Sequence, residues 1–161
     1  MGERGFIPPI RTVEGGWAVE FENDERELLV RLMDELRDLL AGDTPNPLLD
    51  RLFPVAYPDD ADKEAEYQRL MRGELVTSRI AAIDSVRETV APGGPDVLDE
   101  AETIAFMQAI NAVRLVLGSM LGIDDEDAAD DAAERDDSAE HNLYAFLSWV
   151  LEWTVRALSP T

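Results

Sequence analysis

Residues 99–121 read DEAETIAFMQAINAVRLVLGSML, and they determine the architecture because their apolar side chains surround a helix instead of forming one stripe. Asp99 followed by Glu102 is a capping-box pattern that predicts the first turn, and Gly122 stands where a left-handed cap would end the helix. A helix that is apolar on every side must be covered on every side. We therefore expect residues 99–121 to form the central helix of a mainly α protein.

The segments around this helix carry the spacing of amphipathic helices, with apolar residues every three or four positions. Prolines and glycines separate one segment from the next, and we take Gly73 as one such break. The pattern predicts a single-domain helical bundle over residues 1–161 with about five to six helices. They are expected at residues 23–41, 47–53, 60–72, 74–91, 99–121 and 138–158.

Residues 5–21 instead predict a small N-terminal β-hairpin. Apolar side chains alternate along one strand after a glycine turn, namely Trp17, Val19 and Phe21. Two prolines precede Ile10 and cannot donate ladder hydrogen bonds, so we expect the first strand either to be an edge strand or to start late, at Ile10.

The composition excludes several classes of function. The 161 residues contain no cysteine, which excludes disulfides, thiolate zinc sites, iron–sulfur clusters and a cysteine nucleophile. The net charge of −21 repels phosphate backbones and anionic lipid, so we expect no direct nucleic-acid partner and no membrane partner. No uninterrupted apolar run approaches the length of a membrane span, and we expect a cytoplasmic protein.

Residues 124–140 contain ten acidic residues and one arginine. We expect residues 123–137 to form a solvated acidic loop, because no register supplies the glycine that an EF-hand calcium loop needs. His141 is the only histidine, and the sequence has no G-x-S-x-G motif and no phosphate-binding glycine loop. We therefore expect no metal site, no cofactor, no catalytic residue and no enzymatic activity.

Arg79, Asn111 and Arg114 are the candidate ligand or ion-pair residues. Arg114 lies in the most apolar helix, where an unpaired guanidinium costs several kcal/mol. One interpretation is a buried structural ion pair with a carboxylate on another helix, and the candidates are Glu74, Asp84 and Glu152. The other is a pocket in which Arg79 and Arg114 bind an acidic group. The ion pair is the simpler interpretation, and nothing in the sequence favours the pocket over it.

The last helix has a second apolar stripe, formed by Phe146, Trp149 and Trp153, opposite the stripe that faces its own domain. A helix with two apolar faces must bury both. One interpretation is that the hairpin covers these rings through Trp17, Val19 and Phe21. The other is an interface with a protein partner or a second copy, and we expect such a homodimer to weaken as salt is lowered.

Several segments together carry a resemblance to a known family. PLLDRLFP at residues 47–54, LMRGEL at residues 70–75 with Arg79, AINAVRLVLGSML at residues 109–121 and the helix at residues 144–158 occur in this order. The chain resembles the actinobacterial domain-of-unknown-function family 2017, the AosR-like oxidative-stress regulators, most specifically in residues 111–118.

The resemblance implies a cytoplasmic actinobacterial protein, often encoded near the adaptor of the Clp protease, among relatives described as transcriptional regulators that act with a sigma factor. Redox sensing in the family is attributed to a cysteine pair near the N-terminus, which this sequence lacks. We therefore expect a non-enzymatic regulatory or interaction protein that acts in the stress response through a protein partner, by resemblance the transcription machinery. The alternative is a small-molecule-sensing or enzymatic domain with a pocket near Arg79 and Arg114.

Overall fold

The computed structural model describes residues 6–42, 47–53, 55–122 and 139–159. Strands β1 (Ile10–Val13) and β2 (Gly16–Val19) are followed by helix α1 (Asn23–Ala41) and a 3₁₀ helix (Pro47–Leu52). Helix α2 (Ala61–Val90), strand β3 (Val97–Leu98), helix α3 (Glu100–Leu121) and helix α4 (Ala139–Leu158) complete the order. The prediction of a mainly helical protein is confirmed. The acidic loop predicted at residues 123–137 lies outside the described residues.

The part of the chain that the structure describes contains four α-helices instead of five to six. The predicted helices at residues 60–72 and 74–91 are one continuous helix, α2, and Gly73 lies within it. A single exposed glycine costs a helix only about 1 kcal/mol relative to alanine, and no proline accompanies it. The segment expected as a helix at residues 47–53 forms a 3₁₀ helix that ends at Leu52.

The predicted hairpin is one part of a three-stranded antiparallel sheet of order β1-β2-β3. Strand β1 begins at Ile10, as expected, and Ile10 pairs with Val19. Strand β3, which the sequence analysis does not predict, pairs Leu98 with Trp17. The strands approach closely at Gly16, where a Cβ atom would lie 2.2 Å from the carbonyl oxygen of Leu98.

Helix α3 is the central helix, as predicted. It packs against α1, α2, α4 and the 3₁₀ helix, and Phe106 and Ile110 on it are almost completely buried. Asp99 and Glu102 form the predicted capping box, and Gly122 ends the helix with φ of 72°. By length and composition α3 is also the one described helix that could cross a membrane. A core helix meets that criterion equally, and the neighbours of α3 are other elements of the protein.

Arg26 on α1 is 4% exposed and holds the carboxyl end of α2. Its Nη1 donates to the carbonyl of Ala91 at 3.1 Å, and its Nη2 donates to the carbonyl of Pro95 at 3.1 Å. Nη1 also lies 3.4 Å from the carbonyl oxygens of Thr89 and Val90. The last carbonyls of a helix have no intrahelical donor and carry partial negative charge, which a guanidinium satisfies.

Candidate functional site

A cleft of about 460 Å³ opens between α1, α2, α3 and the 3₁₀ helix. Ten of its lining residues are apolar and four are polar. Its apolar wall consists of Leu36, Leu40, Leu52, Leu75, Ala82, Ile83, Ala105, Ala109, Ala112 and Leu115, and its polar groups are Ser78, Arg79, Gln108 and Asn111. This volume and this mixture, mostly apolar with a few polar groups, are typical of small-molecule sites.

The cleft follows from small side chains on α3. Ala105, Ala109 and Ala112 recur at four- and three-residue steps, so they share the face of α3 that lines the cleft. Larger residues at these positions would fill the space between α3 and α2. The adjacent faces of α3 carry residues such as Phe106 and Ile110, which close the core. In the sequence, the cleft therefore corresponds to a stripe of alanines on a helix whose other faces carry large side chains.

Arg79 is the cationic side chain among the lining residues. Its Nη2 donates to the carbonyl of Leu52 at 2.8 Å, and its guanidinium carbon lies 5.9 Å from the centre of the Phe53 ring. Its Nε is buried and has no hydrogen-bond partner among the described residues. A buried donor without an acceptor costs about 1–3 kcal/mol of stability. An acceptor placed beside the Nε–H group of Arg79 would remove this cost.

Arg72 lies over the same phenylalanine, with its guanidinium carbon 4.4 Å from the centre of the Phe53 ring. Among the described residues, neither Arg72 nor Arg79 forms a salt bridge, whereas several other arginines do. Those pairs are Arg11–Glu20 at 3.0 Å, Arg26–Asp96 at 3.6 Å, Arg37–Asp84 at 2.8 Å, Arg69–Glu66 at 3.8 Å, Arg87–Asp34 at 2.5 Å and Arg156–Glu152 at 2.8 Å. Arg79, which lines the cleft, and Arg72, which lies over Phe53, are therefore two cations without a salt bridge among the described residues, in a protein of net charge −21.

The structure brings together two of the three candidate ligand residues. Asn111 and Arg79 line the same cleft, whereas Arg114 is not among its lining residues. Arg114 is half-buried between α3 and α4, where its Nε donates to Ser148 Oγ at 2.9 Å and its guanidinium carbon lies 5.1 Å from the centre of the Tyr144 ring. The expectation of one pocket lined by both arginines is corrected accordingly, whereas the structural ion pair of Arg114 stays a prediction.

Two of the carboxylates expected to pair with Arg114 have other partners. Asp84 lies 2.8 Å from Arg37, and Glu152 lies 2.8 Å from Arg156 on its own helix. Position explains the case of Asp84 on α2, because residues 111 and 115 on α3 line the cleft beside α2 while residue 114 is rotated toward α4. Glu152 lies on α4 and is held by Arg156, four residues along the same helix.

The aromatic stripe of α4 forms a second candidate site. Phe146 and Trp149 have ring centres 6.2 Å apart, and Trp149 is 38% exposed. Phe6 covers part of the stripe, with its ring centre 6.1 Å from that of Trp149 and 5.2 Å from that of Trp153. Phe6 is itself 63% exposed, so these rings form an aromatic surface that is open to solvent, which we call the α4 aromatic face.

The hairpin contacts the end of α4, whereas Trp17, Val19 and Phe21 were expected to cover its aromatic stripe. Trp17 Nε1 and Thr12 Oγ1 both donate to the carbonyl of Ala157 at 2.9 Å, which docks the hairpin at the end of α4. Phe21 packs on Phe106 of the core, with ring centres 6.0 Å apart. The covering residue is therefore Phe6, which precedes β1. The sequence signal for it was an apolar pair, Phe6 and Ile7, outside the alternating strand pattern.

Hydrogen bonds to Glu64 hold the segment before α2 against the first turns of that helix. Its Oε1 accepts hydrogen bonds from the backbone N–H groups of Ala56 and Tyr57, each at 2.8 Å, and its Oε2 accepts one from Gln68 at 2.6 Å. These bonds, that of Gln68 first, hold the pKa of Glu64 below the ordinary value of 4.5. Within the described residues, which do not include 123–138, no three acidic or histidine side chains lie close enough together to bind a metal ion.

Comparison with known proteins assigns the chain to a family. The family model "Domain of unknown function (DUF2017)" matches residues 7–158. The oxidative stress regulator AosR of Mycobacterium bovis and of Mycobacterium tuberculosis is 29% identical to the chain over 127 residues, a match that covers 70% of this chain and 58% of each relative. The chain thus spans less than two thirds of the length of these relatives, and no solved structure matches it significantly. The chain belongs to the DUF2017 family.

Proposed function

We propose that this chain is a non-enzymatic cytoplasmic regulator of the oxidative-stress response that acts by binding a protein partner instead of DNA. The name of its mycobacterial relatives, oxidative stress regulator, supports the biological role. The observation that carries the mode of action is the α4 aromatic face, where Trp149 is 38% exposed beside Phe146 and Trp153. Tryptophan and phenylalanine are enriched at protein interfaces, where they contribute much of the binding energy.

The charge distribution argues against direct contact with DNA. Binding to a duplex depends on neutralising several phosphates with lysine and arginine side chains. Of the described arginines, Arg26 is buried against carbonyls, and five others lie within 4 Å of a carboxylate. No described helix presents a row of free cations, and the net charge is −21. The absence of cysteine also means that any response to oxidants must use chemistry other than a thiol switch.

The same charge indicates the kind of partner. A surface with net positive charge is attracted to this chain, whereas two copies of the chain repel each other when their surfaces come within the screening length of about 8 Å at physiological salt. We therefore propose a partner that presents a basic, apolar-centred surface to the α4 aromatic face. A second copy of the chain is the alternative occupant, and it would have to overcome this repulsion through apolar contact alone.

The test compares Trp149→Ala with Val155→Ala, since Val155 is exposed on another face of α4 to a similar extent, 44%. Each immobilised protein captures partners from a mycobacterial lysate at low and at high salt. We expect one basic protein to be retained by the wild type and by Val155→Ala, lost with Trp149→Ala, and released as salt rises. Equal retention by Trp149→Ala would contradict the proposal. Sub-micromolar binding of duplex DNA at about 150 mM salt would contradict it independently.

A further inference from the structure

We propose that the cleft beside Arg79 is a binding site for a small apolar molecule that carries one carboxylate group. The cleft is separate from the α4 aromatic face, because its lining residues come from α1, α2, α3 and the 3₁₀ helix. The inference therefore goes beyond the protein-partner role and does not depend on it.

The walls of the cleft select an apolar body. Its volume of about 460 Å³ is within the range of small-molecule sites, and ten of its fourteen lining residues are leucine, isoleucine or alanine. Three of these alanines share one face of α3, where bulkier residues would have closed the gap. An aliphatic chain or a small ring system would replace water on these surfaces and gain the usual free energy of apolar burial.

The polar end of the cleft selects an anion. Arg79 lines the cleft, and its buried Nε–H donates to no described acceptor, although Nη2 of the same group is held by the carbonyl of Leu52. A carboxylate can accept two hydrogen bonds from one guanidinium and is the acceptor that fits this donor best. Arg72, which forms no salt bridge among the described residues, adds a second positive charge over Phe53, whose ring centre also lies 5.9 Å from the guanidinium carbon of Arg79.

The negative charge of the rest of the protein limits anion binding to the neighbourhood of Arg79. The chain carries 35 acidic residues against 14 basic residues, so an anion is repelled by most of its surface. The described arginines that form salt bridges offer an anion little, because a carboxylate of the protein already lies beside each guanidinium. Arg79 combines a donor that has no acceptor among the described residues with an adjacent apolar cavity, and Asn111 and Ser78 add neutral hydrogen-bonding groups to the lining of the cleft.

The experiment titrates the full chain with decanoate, using decanol as the uncharged control of equal chain length. Binding is followed by calorimetry and by amide chemical shifts. We expect saturable decanoate binding with shifts centred on residues 105–112, and decanol at least about tenfold weaker. Arg79→Met should weaken decanoate binding about tenfold, whereas Arg69→Met, which removes an exposed cation from the same helix, should leave it unchanged.

Ala105→Leu provides a second variant that keeps the charge and fills the cavity. It should weaken decanoate binding without lowering the thermal midpoint, because the added side chain occupies space in the cleft. The proposal is wrong if folded wild-type protein shows no saturable binding up to about 5 mM decanoate. It is equally wrong if decanol binds as tightly as decanoate, or if Arg79→Met and Ala105→Leu both bind decanoate like the wild type.

Discussion

Replacing Arg26 with methionine tests whether a guanidinium, acting on carbonyl groups, stabilises the junction between α2 and β3. The side chain is 4% exposed and reaches four carbonyl oxygens of residues 89–95. Asp96 is the nearest carboxylate, at 3.6 Å, but its side chain is 94% exposed. Methionine preserves much of the apolar stem while it removes every donor, so the change isolates the hydrogen bonds.

The distances give the expected magnitude. Two of the four bonds are 3.1 Å long and well formed, whereas two are 3.4 Å long and weak. A hydrogen bond to a charged group contributes about 1.5–3 kcal/mol, so the two shorter bonds predict a loss of at least about 3 kcal/mol in the free energy of unfolding. Asp96→Asn should cost less than about 0.5 kcal/mol, because an exposed carboxylate contributes little to an ion pair.

Urea denaturation followed by circular dichroism measures these losses, with Arg31→Met as the control. Arg31 is exposed on the same helix, and its replacement should change stability by no more than about 0.5 kcal/mol. Arg26→Lys should fall between wild type and Arg26→Met, because an ammonium keeps the charge and loses the planar fork. The reasoning is refuted if Arg26→Met costs less than about 1 kcal/mol, or if Asp96→Asn costs as much as Arg26→Met.

Three further predictions concern other parts of the molecule. Glu64→Gln should lower the free energy of unfolding at neutral pH. This difference from the wild type should shrink as the pH falls below 4.5, because a carboxyl with a lowered folded-state pKa contributes stability only while it is ionised. A difference in free energy of unfolding that grows toward acid pH would contradict this prediction. Gly16→Ala should cost about 3 kcal/mol or more by thermal denaturation, because its Cβ would lie 2.2 Å from Leu98 O, whereas Gly15→Ala, with no atom within 4 Å, should cost about 1 kcal/mol from backbone strain alone. In sedimentation equilibrium, we expect any self-association through Trp149 to increase with salt; a dimer strongest at the lowest salt would contradict the electrostatic argument.

The sequence predicts those parts of the fold where local signals agree with packing. In α3, the Asp99–Glu102 capping box, the apolar circumference and Gly122 all specify the same helix, and the structure has it over Glu100–Leu121. Gly73 shows the opposite case. Its local cost to a helix is small, and the chain on both sides favours helix, so α2 continues through it.

The features that sequence patterns missed depend on contacts between distant residues. Strand β3 has two residues and exists because β2 lies beside it, so no periodicity could indicate it. Arg26 reads as an ordinary polar residue of an amphipathic helix, and its burial depends on the carbonyls of residues 89–95. For the candidate site, Asn111 and Arg114 are three residues apart on α3, a spacing that favours one shared face of the helix. The relative rotation of α2 and α4 about α3, which separates them, requires the tertiary structure.

The positions of the arginines relate the two proposals to one physical cause. Most described guanidiniums lie against carboxylates or, for Arg26, against carbonyls, so the unneutralised charge of the molecule is overwhelmingly negative. A macromolecular partner of the α4 aromatic face should therefore be basic. An anionic small molecule, by contrast, is favoured where a cation without a salt bridge among the described residues lines an apolar cavity, which is the cleft beside Arg79. Because Trp149 and Arg79 lie on different helices, Trp149→Ala should leave decanoate binding unchanged and Arg79→Met should leave partner capture unchanged.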